Sequence, residues 1–248
     1  MPSSRRLKVA GGRPLHDCRT CPIRALGTFR PFAPEELRFV ERLRIGEATV
    51  AAGTQVFQEG EKSPYLLTVL SGWLIKTKTL PDGRRQIINY AIAGDLLGLQ
   101  NAVLDKMQHS VEALDDVRLC VFPKEKLWSM FEHPPGLGFD VTWLAAQEKS
   151  ILADFLVSVG QRSASERIAF LLLTLFRRAR AVGLVEGAIA DLPITQEHLA
   201  DTIGFSLAHT NKRLARLKRS GLFDWRGSRF EMIDERRLAE LAGQPSSP

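Results

Sequence analysis

The stretch TQEHLADTIGFSLAHTNKRLARLKR, residues 195–219, decides how this chain is read. Thr195 stands ahead of an apolar run, where its side-chain oxygen can accept a backbone amide, and Gln196 and Glu197 fill the turn that follows. Leu199, Ala200 and Ile203 recur at helical spacing and give this helix a buried face. Gly204 permits a tight turn, Phe205 anchors it, and Ser206 caps a second helix running to about Arg219. Helices joined in this way form a helix-turn-helix, whose second helix enters the major groove of duplex DNA. The side chains expected to point outward there are Leu207, Ala208, His209, Asn211, Lys212 and Arg216. We assign base reading to His209, Asn211 and Lys212, because Asn pairs bidentately with adenine and Lys reaches the guanine acceptors. Ser206 completes the DNA-facing set at the helix start, and Arg216, Lys218 and Arg219 are assigned to phosphates.

The next segment, LFDWRGSRFEM at residues 222–232, reads as a two-stranded wing turning at Gly227-Ser228, with Arg226 and Arg229 facing the DNA backbone. A net charge of +6 over 248 residues is moderate, so its distribution is what matters. Between Ser206 and Arg229 stand seven Lys or Arg against one acid, Asp224. Arg5, Arg6 and Lys8 open the chain with no apolar stretch behind them, and no run approaches the ~18 apolar residues of a membrane span. A soluble cytoplasmic protein with no membrane partner is expected. Three cysteines without an export signal argue against a disulfide framework and leave thiol or metal chemistry open.

Upstream, residues 1–28 form an irregular lead-in around Cys18 and Cys21, followed by a short helix with Pro34 at its first position. From Ile45 to about Pro123, short β-type runs alternate with turn residues: 49–51, 55–57, 65–70, 72–80, 86–91, 111–113 and 118–122. Pro81-Asp82-Gly83 marks the clearest hairpin, and the even spacing suggests an antiparallel roll or sandwich. After Pro134-Pro135, residues Leu137, Val141, Leu144, Glu148, Ile151, Phe155 and Val159 recur at near-heptad spacing, which predicts a dimerisation helix. One amphipathic helix packed on its own domain gives the same periodicity. The dimerisation set is Val141, Leu144, Glu148, Ile151, Asp154 and Phe155; Glu148 on the seam and Asp154 beside it would set like charges together and keep an unsignalled dimer weak. Residues 164–181 give a further helix with Ile168, Leu171, Leu172, Leu175 and Phe176 on one side. The expected organisation is α+β: a Cys-containing segment 1–28, a β-roll sensor 29–134, a dimerisation helix 135–163, and a winged helix-turn-helix domain 164–248.

This order resembles the Crp/Fnr family of bacterial transcription regulators from Cys18 to Gly243, most densely at Gly72, Gly94-Asp95-Leu96-Leu97-Gly98, Ser165-Glu166-Arg167-Ile168 and 195–221. The resemblance implies a cyclic-nucleotide-binding-like roll, a homodimer, a palindromic operator in duplex DNA and RNA polymerase as a partner at promoters. Nucleotide-binding members carry Glu after the glycine matching Gly98, and Arg before Ser or Thr at the cassette end. Here Leu99 and His109-Ser110 stand instead, so cyclic nucleotide is not expected. The oxygen-sensing branch holds an iron-sulfur cluster on a cysteine group before the roll and one cysteine late in it. Cys18, Cys21 and Cys120 match those positions, while the next expected cysteine falls at Gly27. Such a cluster takes four thiolates, so His16, Asp17 or an exogenous group would have to complete it. The cysteines thus admit three roles: an iron-sulfur sensor, a Cys18–Cys21 thiol switch, or none, with an unknown small molecule or a cyclic nucleotide as the signal in the last case. The recognition helix has Ala208 and Lys212 where better-known members carry Glu and Arg, which implies a different half-site.

An enzyme of the metal-dependent β-roll kind would need clustered His and carboxylate ligands. The five histidines, His16, His109, His133, His198 and His209, show no His-x-His or His-x3-5-His pair, and no phosphate loop or nucleophile elbow occurs. A non-enzymatic DNA-binding regulator is therefore the expected function, with redox or oxygen control through Cys18, Cys21 and Cys120.

Overall fold

The computed structural model describes residues 17–26, 30–132 and 135–245. His16, Gly27 and His133 lie outside them. Internal contacts divide the chain into two units, one comprising the chain up to Lys78 with Tyr90–Ser150, the other Thr79–Asn89 and everything from Ile151 onward.

In the first unit, two short 3-10 turns, Cys18–Thr20 and Pro22–Ala25, precede helix α1 (Pro34–Leu43). Pro34 supplies the missing-donor first position, and Glu36 reaches back to the Ala33 amide at 2.8 Å. Two antiparallel sheets follow. One runs β1 (Gly46–Val50), β8 (Val117–Pro123), β3 (Tyr65–Ser71), β6 (Leu96–Leu97), and the other β2 (Gln55–Phe57), β7 (Ser110–Ala113), β4 (Leu74–Thr79), β5 (Arg85–Ala91). Strand alternation sends Leu67, Val69, Leu119 and Val121 into the roll interior with Leu74, Val111 and Val117. The intervening Leu66, Leu70, Cys120 and Phe122 point to the other side, where Leu127 and Val141 meet them. Two separate apolar cores therefore share the same two strands. Gly72, at φ +89°, makes the β3–β4 turn; a Cβ there would come within 2.8 Å of the Asp116 carbonyl oxygen, so glycine is required.

Sequence patterning misses β6 and the adjoining α2 (Leu99–Leu104), both too short to show a period. After α3 (Ser129–Glu132), the helix α4 spans Pro135–Gln161. Its apolar seam requires correction. Leu137, Val141 and Phe155 are each buried in the single chain, Val141 in the second core of the first unit and Phe155 edge-on to Phe170 in the second unit. Leu144 and Ile151 are half-buried. Glu148 is not a source of repulsion either, because it is ion-paired with the buried Lys76 of β4. Asp154 is exposed. The large apolar side chains that α4 leaves exposed are Phe139, Leu156 and Val157. The periodicity was right for a helix, but packing within the chain claims Leu137, Val141 and Phe155 of the stripe it picked out, and leaves Leu144 and Ile151 half-covered.

The second unit is built on α5 (Ala164–Ala181), capped by Ser163, whose amide donates to Glu166 at 2.7 Å. Its Ile168, Leu171, Leu172, Leu175 and Phe176 are fully buried, and Leu238, Ala239 and Ala242 of α8 (Glu235–Ala242) are buried with them. Then come α6 (Gln196–Ile203) and α7 (Leu207–Arg219). The wing strands β11 (Phe223–Arg226) and β12 (Arg229–Met232) do not stand alone as expected: they extend into a four-stranded sheet with β10 (Ile189–Asp191) and β9 (Val185–Glu186). Phe230 stacks on Phe223 at 5.5 Å and packs on Phe176 at 5.8 Å, which fixes the wing to α5. Among the described residues no helix is long and apolar enough to cross a membrane.

Candidate nucleic-acid interface and thiol-lined cavity

The helix-turn-helix is held by local chemistry. Thr195 Oγ1 accepts the His198 amide at 3.1 Å, and His198 Nδ1 accepts the Thr195 amide at 3.2 Å. Burial pushes the His198 pKa down, which keeps Nδ1 available as an acceptor in the place a capping-box Glu or Gln usually takes. Gly204 at φ +75° turns the chain, and Ser206 Oγ accepts the His209 amide at 3.3 Å to start α7. Arg167, which sequence reasoning valued only through the resemblance, braces the turn. Its guanidinium donates to the Ile203 carbonyl at 2.9 Å and lies over the Phe205 ring at 4.7 Å. Phe205 in turn stacks on His209 with centroids 5.0 Å apart. The recognition helix is thereby locked at its entry end.

The structure leaves Ser206, Leu207, Ala208, His209, Lys212, Arg216 and Arg219 exposed along α7, and Arg226 and Arg229 exposed on the wing. Asn211 departs from the expectation. It is half-buried, and its Oδ1 is enclosed without a partner among the described residues, at a cleft between α7 and the wing that Trp225 also lines. One helical position separates it from Lys212, about 100° around the axis, enough to turn it off the open face. Lys218 is committed to Asp224 and to the Trp225 carbonyl, and Arg226 Nε also meets Asp224 at 2.9 Å. These cations hold Asp224 below the usual carboxylate range, the Lys218 hydrogen bond contributing most.

In the roll, His109 is 5% exposed, where nucleotide-binding members of the resembling family have Arg. Burial first, then Lys76 and Lys78, push its pKa from 6.5 to about 4, with Glu59 opposing. The unfolded chain thus takes up this proton at higher pH than the folded one. Stability is then full above pH 6.5 and falls as the pH drops toward 4, by ~3 kcal/mol. Urea titrations should show the wild type losing ~3 kcal/mol relative to His109→Gln as the pH falls across that window; parallel curves would refute a neutral buried imidazole.

The three free cysteines, Cys18, Cys21 and Cys120, line one cavity of about 240 Å³ within the first unit. Burial raises all three thiol pKa values, Cys120 to about 12, against the lowering influence of Arg44. They are thiols rather than thiolates at neutral pH. Asp17, one candidate for a fourth ligand, instead accepts the Arg19 amide at 2.8 Å. Among the described residues no three His, Cys, Asp or Glu side chains are placed to hold a metal ion. The described residues therefore do not fit the iron-sulfur cluster that the resemblance implies.

A two-sheet roll and a long helix in one chain with a winged helix-turn-helix make the architecture of a DNA-binding regulator. Residues 47–133 match the cyclic nucleotide-binding domain and residues 166–241 the Crp-like helix-turn-helix domain. The transcriptional activator protein FnrL of Cereibacter sphaeroides is 30% identical over 236 residues, covering 94% of each chain. The nitrogen fixation regulation protein FixK of Bradyrhizobium diazoefficiens is 30% identical over 227 residues, 92% of this chain and 94% of that one. The solved structure of FixK2 from Bradyrhizobium japonicum superposes with a TM-score of 0.71 at 23% identity, over 82% of this chain and 98% of that one. The chain belongs to the Crp/Fnr family of transcription regulators, on its Fnr-like side, and is a regulator rather than an enzyme.

Proposed function

We propose that this regulator binds a palindromic operator as a homodimer and meets RNA polymerase at the promoter, with DNA affinity set by the oxidation state of Cys18, Cys21 and Cys120. The observation that carries the redox reading is that three thiols, one of them about a hundred residues from the others, line a single cavity against the first half of α4. The Cys-x2-Cys pair supplies the reaction: Cys18 and Cys21 each lose a proton and an electron to form a disulfide, and hydrogen peroxide, the oxidant, is reduced to two waters. Operator selected from a random DNA pool, titrated with reduced and peroxide-treated protein, tests this. Oxidation should change affinity at least about tenfold, and Cys18→Ser should remove that change. Indifference of the wild type to oxidation would sink the redox reading while leaving DNA recognition intact.

For recognition itself, His209 and Lys212 read bases, Arg216, Arg219 and Arg229 hold phosphates, and Lys218 and Arg226 do so after release from Asp224. Lys212→Ala is expected to cost ~1–3 kcal/mol and relax specificity at one base pair, whereas Asn211→Ala should change affinity much less. Anisotropy titrations against single-base operator variants check this. Equal losses from the two substitutions would restore Asn211 as a base reader.

A further inference from the structure

We propose that the cavity of the first unit is a binding site for a medium-chain carboxylate, an apolar body of about eight to ten carbons ending in a single carboxylate group. The proposal goes beyond the redox reading and does not require reactive thiols. At about 240 Å³ the cavity exceeds the ~150 Å³ engineered cavity that takes up benzene. Its wall is predominantly aliphatic and aromatic, with Leu66, Leu70, Phe122, Leu127, Met130 and Val141 among the lining residues. The thiols, held neutral by burial, present apolar surface to it rather than charge.

Three arginines line the same cavity, and their commitments differ. Arg30 binds Glu36 at 2.6 Å and Asp140 at 3.0 Å, and Arg44 faces Glu47 at 3.6 Å. Arg24 is exposed and donates only to the Arg19 carbonyl at 3.3 Å, with no acidic partner among the described residues. One uncommitted guanidinium beside an apolar enclosure is the chemistry that orients an apolar acid: the tail leaves water and the head retains a charged, solvated partner. A neutral apolar molecule would leave Arg24 without a role, and a phosphate ester would need more than one free cation. Leu137, Val141 and Leu144 carry the cavity onto α4, so an occupant touches that helix directly.

Calorimetric titration of the reduced full-length protein with sodium decanoate, below its micelle concentration, tests the site. One saturable equivalent is expected, together with a raised unfolding temperature. Each methylene removed from the ligand should weaken binding about fourfold, the factor set by ~0.8 kcal/mol per buried CH2. Arg24→Gln, at an exposed position that leaves folding intact, should weaken decanoate at least about tenfold and leave decanol unaffected. Leu70→Trp should fill the cavity and abolish both, with operator binding as the control for folding; if that variant misfolds, Val141→Phe takes its place. A triple Cys18, Cys21, Cys120→Ala variant should still bind decanoate, which separates this site from redox control. Absence of saturable binding, or equal binding of decanoate and decanol that ignores Arg24→Gln, would overturn the proposal.

Discussion

Leu156→Glu is expected to convert the proposed homodimer to monomers and to reduce operator affinity at least about 100-fold. On α4, Phe139, Ala146, Ala153 and Gly160 recur every seven residues with Thr142, Lys149 and Leu156 between them, and all seven are exposed in the single chain. Leu156 is the most open of the large apolar residues, at 74%. In a two-fold interface the same residue meets its own counterpart, so one substitution places two carboxylates together. The change removes two buried leucines, ~1.5–3 kcal/mol each, and adds desolvated repulsion. Sedimentation equilibrium measures the first effect and anisotropy the second. Glu at Gln147, exposed but off this stripe, should leave the dimer intact. A Leu156→Glu protein that remained dimeric would rule out this seam.

Lys76→Met carries the second large effect. The Lys76 side chain is 4% exposed and its partner Glu148 22%, so removing the ammonium strands a carboxylate in a poorly hydrated place. Breaking a fully buried pair costs ~3–5 kcal/mol; with the partial hydration of Glu148, about 2–3 kcal/mol is expected by urea unfolding. Adding Glu148→Leu should recover most of that loss, because two apolar groups replace two charges. A Lys76→Met protein within ~0.5 kcal/mol of wild type would show that the pair has no structural weight. The pair also binds β4 to the middle of α4.

The parts of the molecule legible in its sequence are those settled over a few residues. Thr195, Gly204 and Ser206 each act on amides or dihedrals within three positions, and the helix-turn-helix follows from them. The strands of the roll were legible wherever alternation ran long enough; β6 in the roll, and β9 and β10 in the second unit, at two or three residues each, were not. The α4 seam was legible only in part, for a different reason. The stripe through Leu137, Val141 and Phe155 and the stripe through Phe139, Ala146 and Leu156 share a period, and only packing tells which one faces the chain's own core. Asn211 illustrates the same limit at a single position, since side-chain chemistry suits base reading but burial turns it toward the wing cleft. That Cys120 comes to one cavity with Cys18 and Cys21 depends on long-range strand pairing, which no local spacing encodes.

Cys120 sits on β8, which is hydrogen-bonded to β1 on one side and β3 on the other, with Cys120 opposite Glu47 and Thr68. A strand clamped along both edges cannot advance toward a neighbour without unzipping two ladders at once. Cys18, by contrast, opens a 3-10 turn of three residues, and Cys21 stands between that turn and a second one of four. Among the three cysteine positions, the one on β8 is therefore the fixed wall, against which the turns around Cys18 and Cys21 can shift. In hydrogen exchange, β8 should rank among the slowest-opening segments of the first unit and the Cys18–Ala25 turns among the fastest.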